Sequence, residues 1–357
     1  MTPDASYDPR MADILPTSPQ EITPAWLSSR VGGTVTNVAV EPVTNRTGVN
    51  GEMARLHLQG PGVPRTVMAK FPAVTPGARG VAAYQHWYER EVRFYLELAT
   101  ATPLRTPQAY SAELDTDGGF VLLLEDLGGL RQGSQVAGCS IEDARNALQS
   151  VAGLHAWWWE PQPVPHPWLP FTTVGLDRAR PVQGAFARAW SMVREAFPRA
   201  AQRALDAGVE AYPELLAEIA TGPVTICHGD YRLDNMFFED TGDTTEIAAF
   251  DWQFACRARG AYDVAYFLAL DLDPTELARE RDTLLTSYVT ALAARGIQGY
   301  AIEDCRRDYA TSLILSTAVF AIGAAALQAS EATRVTHEVG LQRLGLAVAD
   351  AVESGLL

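Results

Sequence analysis

The sequence predicts an α+β protein with two lobes, a small antiparallel β-sheet lobe with one main helix and a larger, mostly α-helical lobe. At 357 residues the chain is too long for one compact core. Short segments of alternating apolar residues fill its first third, and long helical patterns dominate after Gly129. Such a division is typical of a sheet lobe joined to a helical lobe. We divide the chain into an N-terminal arm (1–25), an N-lobe (26–126) and a C-lobe (127–357).

Alternating apolar residues predict an antiparallel meander between Thr34 and Phe71, in which MARLHL and TVMAKF form the second and third strands. Turn-rich segments separate these strands. The pattern then predicts a helix at 80–99, followed by a strand, FVLLL, at 120–124. The N-lobe is therefore expected to be a small sheet with one main helix.

The C-lobe is expected to be helical, with short strands only near 224–251. The predicted long helices are 141–159, 184–220, 275–295 and 303–329. Within the last of these, the apolar segment 312–327 is shorter than a bilayer requires and carries Ser, Thr and Gly. We interpret it as a buried helix, and we expect no membrane association.

The formal net charge of -15 argues against a nucleic-acid partner, because phosphate backbones are bound by clustered Lys and Arg. The acidic balance suits either a cationic substrate or simple solubility. Four cysteines are scattered without a CxxC pair, which predicts a reducing, cytoplasmic location and no zinc site. The polar start of the chain does not resemble a secretory signal.

The segment VTICHGDYRLDNMFF carries the strongest functional pattern. An apolar strand leads into the His-Gly-Asp triplet that ends at Asp230, Asn235 follows, and a later strand ends at Asp251. Phosphoryl transfer needs a carboxylate to orient the attacking hydroxyl, together with oxygen ligands for Mg²⁺. We therefore predict Asp230 as the catalytic base and Asn235 and Asp251 as metal ligands. The alternative, polar residues that merely cap turns, explains one such residue but not three.

Lys70 is a candidate phosphate ligand. It lies on TVMAKF, on the strand face opposite Val67, Ala69 and Phe71. A lysine on a strand beside a glycine-bearing loop can reach phosphate oxygens, but it needs a carboxylate partner to stay aimed. A solvated lysine is the alternative.

Glu91 is the predicted partner of Lys70. The helix AYQHWYEREVRFYLEL has an apolar stripe, and Glu91 falls inside it, four residues from both Trp87 and Tyr95. The stripe consists of Tyr84, Trp87, Tyr88, Tyr95 and Leu98. A glutamate that faces inward among aromatic rings is costly unless it is paired.

Two weaker patterns concern the nucleotide. Gly48 and Gly51, in the loop NRTGVNG, could let backbone N–H groups approach phosphates, although a plain hairpin explains them equally well. The segment FVLLLEDL ends at the expected boundary between the lobes. Backbone groups of Glu125 and Leu127 are predicted to bind adenine there.

Several further residues have competing interpretations. The tryptophans at 157–159 are expected to pack a helix end against the core, with one ring available to line an acceptor pocket. His155 is interpreted as a hydrogen-bonded core histidine. Asp263 is predicted to cap or brace the loop that carries Asp251. The roles of Arg257 and Arg259 stay open between binding of phosphate or an anionic substrate and simple exposure.

CHGDYRLDN resembles the nucleotide-phosphotransfer motif of the aminoglycoside phosphotransferase and choline kinase superfamily. FDWQFACRARGAYDVAYFLAL resembles its metal-binding segment, and the likeness extends over about residues 16–350 through LLLEDL and LHAWWW. The DWQ triplet and the flanking segments resemble the ecdysteroid-kinase-like (CHK kinase-like) branch most. The loop NRTGVNG departs from the family, with Thr47 and Asn50 where more glycine is expected.

The resemblance implies a bilobal, protein-kinase-like fold and an ATP- and Mg²⁺-dependent kinase that acts on a small-molecule alcohol. By motif position it implies Asp230 as catalytic aspartate, Asn235 and Asp251 as metal ligands, and Lys70 with Glu91 at the phosphates. The aromatic C-lobe favours an apolar or steroid-like acceptor. The alternatives are an aminoglycoside or macrolide kinase and a catalytically silent nucleotide-binding module. The sequence leaves open the acceptor, ATP versus GTP, and the oligomeric state.

Overall fold

The computed structural model describes residues 15–43, 51–115, 118–159, 166–242, 244–326 and 331–357. The chain divides into two compact units, which we call the N-terminal unit and the C-terminal unit. The first comprises Met1–Thr44, Asn50–Tyr84 and Gln108–Asp126, and the second comprises Asn45–Val49, Gln85–Pro107 and Leu127–Leu357. The predicted fold class is confirmed, because the first unit is built on an antiparallel sheet and the second is mostly helical.

The N-terminal unit contains a five-stranded sheet in the order β1-β2-β3-β5-β4, with antiparallel neighbours throughout. Its strands are β1 (Asn37–Pro42), β2 (Gly51–Gln59), β3 (Thr66–Pro72), β4 (Ala109–Leu114) and β5 (Phe120–Glu125). The sequence did not predict β4, since none of its side chains is buried and no apolar alternation marks it. A short helix, α1 (Pro24–Ser28), precedes the sheet.

The face of β3 follows the predicted alternation. Val67, Ala69 and Phe71 are fully buried in the core of the N-terminal unit, together with Leu56 of β2. Lys70, on the other face, is also buried, with 5% of its surface exposed. The period of two along a strand therefore places the lysine away from the apolar core while keeping it out of bulk water.

The single helix predicted at 80–99 is wrong. The chain forms α2 (Pro76–Tyr84) and α3 (Trp87–Arg93), and a π-helical turn (Phe94–Leu98) follows α3. His86 between the helices adopts a left-handed backbone conformation with φ of 56°, which ends the first helix. As a consequence Tyr84 is 61% exposed and does not share the buried stripe of α3.

Besides α3, the C-terminal unit contains helices α4 to α11. They are α4 (Ile141–Trp157), α5 (Ala179–Val193), α6 (Arg199–Glu210), α7 (Tyr212–Ile219), α8 (Ala261–Asp271), α9 (Pro274–Ala294), α10 (Ile302–Ala326) and α11 (Glu331–Glu353). The predicted helix 184–220 is three helices, because Pro198 and Pro213 each begin a new helix rather than continue the preceding one. All residues of α8 are buried, so this helix is central to the unit.

Helix α10 contains residues 312–326 of the apolar segment that was predicted to be buried. Among the described residues, α10 is the single helix that is long and apolar enough to cross a membrane. However, 67% of its most apolar window is buried within the protein, as in a core helix of a soluble protein.

Two small sheets lie among these helices. β6 (Arg131–Gln132), β8 (Met236–Thr241) and β9 (Thr244–Ala249) form one sheet in the order β6-β8-β9. β7 (Thr225–Cys227) pairs antiparallel with β10 (Cys256–Ala258) to form the other. The predicted short strands near 224–251 are thus present, and the polar residues of the functional pattern follow their ends.

Candidate active site

The candidate active site is built on the loop after β7, which we call the catalytic loop (228–235). Cys227, the last residue of β7, pairs directly with Cys256 of β10. Both cysteines are fully buried, so the start of the loop is anchored in the core. Burial raises the pKa of both thiols above the ordinary value, which makes them unreactive packing groups.

Gly229 gives the catalytic loop its sharp turn. Its φ is 82°, in the left-handed region that favours glycine. A Cβ atom at this position would lie 2.2 Å from the carbonyl oxygen of Phe254 and 2.9 Å from Cγ2 of Thr173. The loop can therefore pass against the segments that carry Phe254 and Thr173 only because residue 229 has no side chain.

We expect Gly229→Ala to lower the free energy of unfolding by more than the about 1–2 kcal/mol that a left-handed backbone costs other residues. Gly242→Ala is the matched control, since Gly242 has φ of 65° and nothing lies within 4 Å of its added Cβ. Urea denaturation of both variants measures the difference. Equal losses in the two variants would contradict the close packing inferred at Gly229.

A buried carboxylate, Asp263 of α8, fixes the backbone of the catalytic loop. Its Oδ2 accepts the backbone N–H of His228 at 2.7 Å, and its Oδ1 accepts that of Gly229 at 2.9 Å. Oδ2 also lies 3.2 Å from Nε2 of His155. Both side chains, Asp263 and His155, are fully buried. The prediction that Asp263 braces a loop holds, but the loop it bonds carries Asp230 rather than Asp251.

His155 is a fully hydrogen-bonded core residue, as the sequence interpretation expected. Its Nδ1 bonds the hydroxyl of Tyr288 at 2.9 Å, and its backbone carbonyl accepts the hydroxyl of Thr225 at 2.8 Å. Ligand atoms of His155, Cys227 and Asp263 lie within 4.8 Å of one another. Because the Asp263 oxygens already accept the N–H groups of the catalytic loop, we assign this cluster a structural role.

Asp230, the predicted base, is buried with 7% of its surface exposed. Its Oδ1 accepts Nε of Arg232 at 3.1 Å, and its Oδ2 accepts Nδ2 of Asn235 at 2.8 Å. Burial and, after it, the charge of Asp230 raise the pKa of Tyr266 well above its ordinary value. Donors on both carboxylate oxygens, Arg232 and Asn235, hold Asp230 in one orientation.

Asn235 and Asp251 are brought next to each other by backbone pairing. Phe250, the residue before Asp251, donates its N–H to the Asn235 carbonyl at 3.1 Å. Its own carbonyl accepts Nε2–H of His228 at 2.9 Å, while Nδ1 of that histidine accepts the N–H of Asp230. Residue 250 thus ties the segment of Asp251 to both ends of the catalytic loop.

The backbone at Asp251 is strained. Its φ of 67° is left-handed, which is uncommon for a residue other than glycine and is often found at functional sites. The turn that follows is held by stacking of Trp252 on Phe94, with ring centroids 3.8 Å apart and planes 6° apart. Trp252 also contacts the ring of His228, at 4.5 Å between centroids. Aromatic packing therefore fixes the position of Asp251 relative to the catalytic loop.

The residues present fit a divalent cation. Nδ2 of Asn235 donates to Asp230, which turns its Oδ1 away from that carboxylate. Asp251 follows Phe250, whose N–H bonds the Asn235 carbonyl, and it adds a carboxylate, so the two residues offer the hard oxygen ligands that Mg²⁺ prefers. Asn235 is buried, with 4% exposed, which limits its freedom to reorient.

Arg232 is a functional candidate that the sequence interpretation missed. Besides Asp230, its guanidinium donates from Nη1 to Oδ2 of Asp234 at 3.0 Å and to Oε1 of Gln135 at 2.9 Å. Burial by itself would lower the pKa of Arg232, but the charges of Asp230 and Asp234 hold it above its ordinary value. The position of Arg232 inside the motif, two residues after Asp230, was the available signal. Tyr266, which interacts with Asp230, was also missed, because it lies in the apolar helix α8 and nothing in the sequence pattern marks it.

The predicted nucleotide ligands Lys70 and Glu91 belong to different units. In the N-terminal unit, Gly51 lies close to the Lys70 side chain. A Cβ atom added at Gly51 would be 3.2 Å from Cε of the lysine. In the C-terminal unit, Glu91 of α3 is fully buried, as predicted. Gly48 lies outside the described residues. The pairing of Lys70 with Glu91 joins the two units and stays a prediction.

Backbone groups of Glu125 and Leu127, the predicted adenine-binding residues, form hydrogen bonds within the protein. The backbone N–H of Glu125 donates to the carbonyl of Gln108 at 2.7 Å, so this donor is used within the N-terminal unit. The carbonyl of Leu127 accepts the N–H of Leu130 at 2.9 Å. The role of Glu125 and Leu127 in binding adenine stays a prediction.

The other residues singled out in the sequence are Arg257, Arg259 and the tryptophans at 157–159. Arg259 donates from Nη1 to Asp308 at 2.5 Å and from Nε to a backbone carbonyl, so its role is structural. Arg257 stacks on the ring of Phe171 at 4.0 Å. Of the three tryptophans, Trp157 is 62% exposed, which contradicts core packing for that ring. It is the last residue of α4 and points away from the core.

The sequence profile of the phosphotransferase enzyme family (APH) matches residues 80–300, a range that contains the catalytic loop and Asp251. The chain belongs to this family. This assignment confirms the predicted resemblance to the aminoglycoside phosphotransferases, but not the resemblance to the ecdysteroid-kinase-like branch. The matched range covers α3, the catalytic loop and helices α4 to α9. No curated protein matches the chain.

Solved structures show the same fold at low sequence identity. A protein of Ralstonia eutropha JMP134, provisionally named an aminoglycoside phosphotransferase, has 17% identity and a TM-score of 0.54, covering 91% of this chain and 96% of that one. Choline kinase from Cryptosporidium parvum Iowa II has 8% identity and a TM-score of 0.54, with 96% and 95% covered. The GDP complex of aminoglycoside 2'-phosphotransferase-IIIa has 13% identity and a TM-score of 0.53, with 87% and 93% covered. The APH chain therefore has the fold of small-molecule phosphotransferases.

Proposed function

We propose that this APH-family chain is an O-kinase that transfers the γ-phosphoryl group of ATP to a hydroxyl group of a small molecule, with Mg²⁺. The observation that carries the proposal is the buried carboxylate of Asp230, fixed by Arg232 and Asn235 in a loop that also bonds the segment of Asp251. The nucleotide donor is supported by family membership and by the GDP complex of a protein with the same fold.

In the proposed reaction Asp230 orients the acceptor. Its carboxylate accepts the hydroxyl hydrogen and aims the oxygen at the γ-phosphorus. The new O–P bond forms as the bond from the γ-phosphorus to the bridging oxygen of ADP breaks, and the hydroxyl proton passes to a carboxylate oxygen of Asp230. ADP leaves, and Asp230 returns its proton to water.

Asn235 and Asp251 are the residues that would hold the metal. When bound, Mg²⁺ supplies charge neutralisation at the phosphate oxygens. The contribution of the chain is to keep the Oδ1 of Asn235 and the Asp251 carboxylate in place, which the bond to Asp230 and the packing of Trp252 do. Lys70, with Glu91 as its predicted partner, is the proposed contact to the phosphates.

Arg232 is proposed to position Asp230. We expect Arg232→Gln to lower kcat by about 10²-fold, because loss of alignment at the reacting centre costs about this factor. The KM for ATP should change little, and Arg232→Lys, which keeps the charge but not the forked donors, should recover only part of the rate.

Arg131→Gln is the matched control for Arg232. Arg131 also bridges two aspartates, Asp143 and Asp240, but its side chain is 47% exposed. Steady-state kinetics of the variants with an identified acceptor measures the effect. An Arg232→Gln enzyme with an unchanged kcat would remove Arg232 from the site.

The acceptor and the branch of the family are further parts of the proposal. The ecdysteroid-kinase-like branch, with an apolar or steroid-like alcohol as substrate, is supported by the DWQ triplet at Asp251 and by the aromatic segment at 155–159. A cytoplasmic location is supported by cysteines that are free in the described residues. A small-molecule alcohol requires no nucleic-acid or membrane partner.

A phosphorylation screen tests the proposed function. The protein is incubated with ATP or GTP and a library of alcohols that includes sterols, hydroxy acids, amino alcohols, aminoglycosides and macrolides. Mass spectrometry then detects the gain of one phosphoryl group, with and without EDTA. We expect transfer that requires Mg²⁺. Nucleotide binding without transfer to any alcohol would instead favour the silent module.

A further inference from the structure

The segment 133–136, which we call the bridging segment, contacts both the catalytic loop and helix α11. A Cβ atom at Gly133 would lie 2.4 Å from the carbonyl oxygen of Leu233, in the catalytic loop. A Cβ atom at Gly340 of α11 would lie 2.8 Å from Nε2 of Gln135. Two residues without side chains therefore let the bridging segment pack closely against both elements.

Gln135, in the bridging segment, bonds both of these elements and is fully buried. Its Oε1 accepts Nη1 of Arg232 at 2.9 Å, and its backbone N–H donates to Oδ1 of Asp234 at 2.8 Å. Its Nε2 donates to the carbonyl of Thr336 in α11 at 3.4 Å. A reversed amide would place two donors together at Arg232 and two acceptors together at Thr336, so the side chain has a single favourable orientation.

Helix α11 also holds the backbone of the bridging segment. Nη1 of Arg343 donates to the carbonyl of Gln135, and its Nη2 donates to that of Val136 at 3.3 Å. Burial and, to a smaller extent, the charge of Arg232 lower the pKa of His337, which also belongs to α11. Helix α11 and the Arg232 guanidinium are therefore close enough to interact electrostatically.

The planar guanidinium of Arg232 links Gln135 to the predicted catalytic base. Its Nη1 bonds Gln135 and Oδ2 of Asp234, and its Nε donates to Oδ1 of Asp230 at 3.1 Å. Because Nη1 and Nε belong to one rigid plane, a bond that fixes Nη1 also fixes the direction of the Nε–H. Asp234 lies in the same loop as Arg232, whereas Gln135 holds the guanidinium from outside that loop.

We propose that Gln135 is a positioning residue, through which α11 orients the Arg232 guanidinium and, by way of Arg232, the Asp230 carboxylate. Helix α11 lies outside the range 80–300 that the family profile matches, and it then contributes to the alignment of the catalytic base. The expected effect on turnover rests on the proposed kinase function, whereas the bond between Gln135 and Arg232 does not.

A double-mutant cycle between residues 135 and 232 tests the proposal. Gln135→Met removes both amide groups and keeps an unbranched side chain. We expect kcat to fall about tenfold with little change in the KM for ATP, because alignment at the reacting centre is lost. In the Arg232→Gln background the same change should lower kcat less than about twofold, since its effect acts through Arg232. An unchanged kcat in the single variant, or a full tenfold loss in that background, overturns the proposal.

Gln183→Met is the matched control for Gln135→Met. Gln183 of α5 also accepts an arginine N–H at its Oε1, from Nη1 of Arg180 at 3.2 Å. Its Nε2 likewise donates to a backbone carbonyl, that of Val209 at 2.8 Å. Because these contacts do not involve the catalytic loop, we expect the kcat of Gln183→Met to equal that of the wild type.

Arg343→Gln tests the same connection from α11, and it remains informative if Gln135→Met does not fold. Loss of the forked donors that hold the bridging segment should lower kcat about threefold, and this loss should disappear in the Arg232→Gln background. Arg334→Gln is the control on the same helix, because Arg334 is an exposed arginine that pairs with Glu338. Equal kcat values in Arg343→Gln and Arg334→Gln contradict a role for α11.

Nuclear magnetic resonance measures how firmly Arg232 is held, without any turnover. The Nε–H signal of Arg232, identified by its absence in Arg232→Lys, reports the exchange of this hydrogen with water. We expect exchange about tenfold faster in Gln135→Met than in the wild type and in Gln183→Met. Equal exchange rates overturn the proposal. Exchange that depends on Gln135, in a protein that phosphorylates no alcohol, contradicts the kinase function and supports the positioning of Arg232 by Gln135.

Discussion

Asp230→Asn is expected to lower kcat by about 10³-fold, because a positioned general base contributes about 10²–10⁴. The amide has nearly the volume of the carboxylate, but it cannot accept the hydroxyl proton, and its NH₂ group would face a donor from Arg232 or Asn235. The measurement is initial-rate kinetics with an acceptor found in the phosphorylation screen. Binding of ATP, followed by thermal shift, should survive, since Asp230 does not hold the nucleotide in the proposed mechanism.

Asp240→Asn is the control for this experiment. Asp240 is an exposed aspartate of β8 that pairs with Arg131, and its loss should leave kcat unchanged. If Asp230→Asn retains the wild-type rate while its fold is intact, the assignment of the catalytic base is incorrect.

Asp263→Ala should produce the largest loss of stability. It would leave two buried backbone N–H groups, those of His228 and Gly229, and Nε2 of His155 without their acceptor. Each unsatisfied buried donor costs about 1–3 kcal/mol, so we expect the free energy of unfolding to fall by at least about 3 kcal/mol. Activity should fall as well, since the freed loop carries Asp230. Chemical denaturation measures the first effect, and kinetics at low temperature measures the second.

Asp273→Ala provides a matched comparison for Asp263. Its carboxylate also accepts two backbone N–H groups, those of Thr275 and Glu276, as the N-cap of α9, but in an exposed position. Loss of an exposed cap costs about 1 kcal/mol, since water replaces the acceptor. A loss at Asp263 no larger than that at Asp273 would show that the buried brace does not hold the loop.

The sequence predicted best what depends on local pattern. The strand alternation placed Lys70 opposite Val67 and Phe71, and the fold class followed from the change in periodicity after Gly129. The catalytic loop was recognisable because its polar residues follow short apolar strands within a few positions of one another. The bond between Asp230 and Asn235 is a consequence of that spacing.

The features that the sequence did not predict depend on contacts between distant segments. The pattern of Tyr84 continued the stripe of Trp87 and Tyr95, but the left-handed His86 turns the chain and exposes Tyr84. Asp263 was predicted to brace the loop of Asp251, but it bonds the catalytic loop, which lies more than thirty residues away in the sequence. The burial of Arg90 in α3, where it is 3% exposed, was not predicted either, because an arginine in an amphipathic helix is ordinarily solvated.

In the proposed mechanism, Asn235 and Asp251 hold a divalent ion beside the Asp230 carboxylate. A crystal structure with AMP-PNP and Mn²⁺, with data collected to give anomalous scattering from manganese, tests it directly. We predict an anomalous peak within about 2–2.5 Å of Oδ1 of Asn235 and of a carboxylate oxygen of Asp251. Bound nucleotide with a manganese peak that touches neither side chain would contradict the claim.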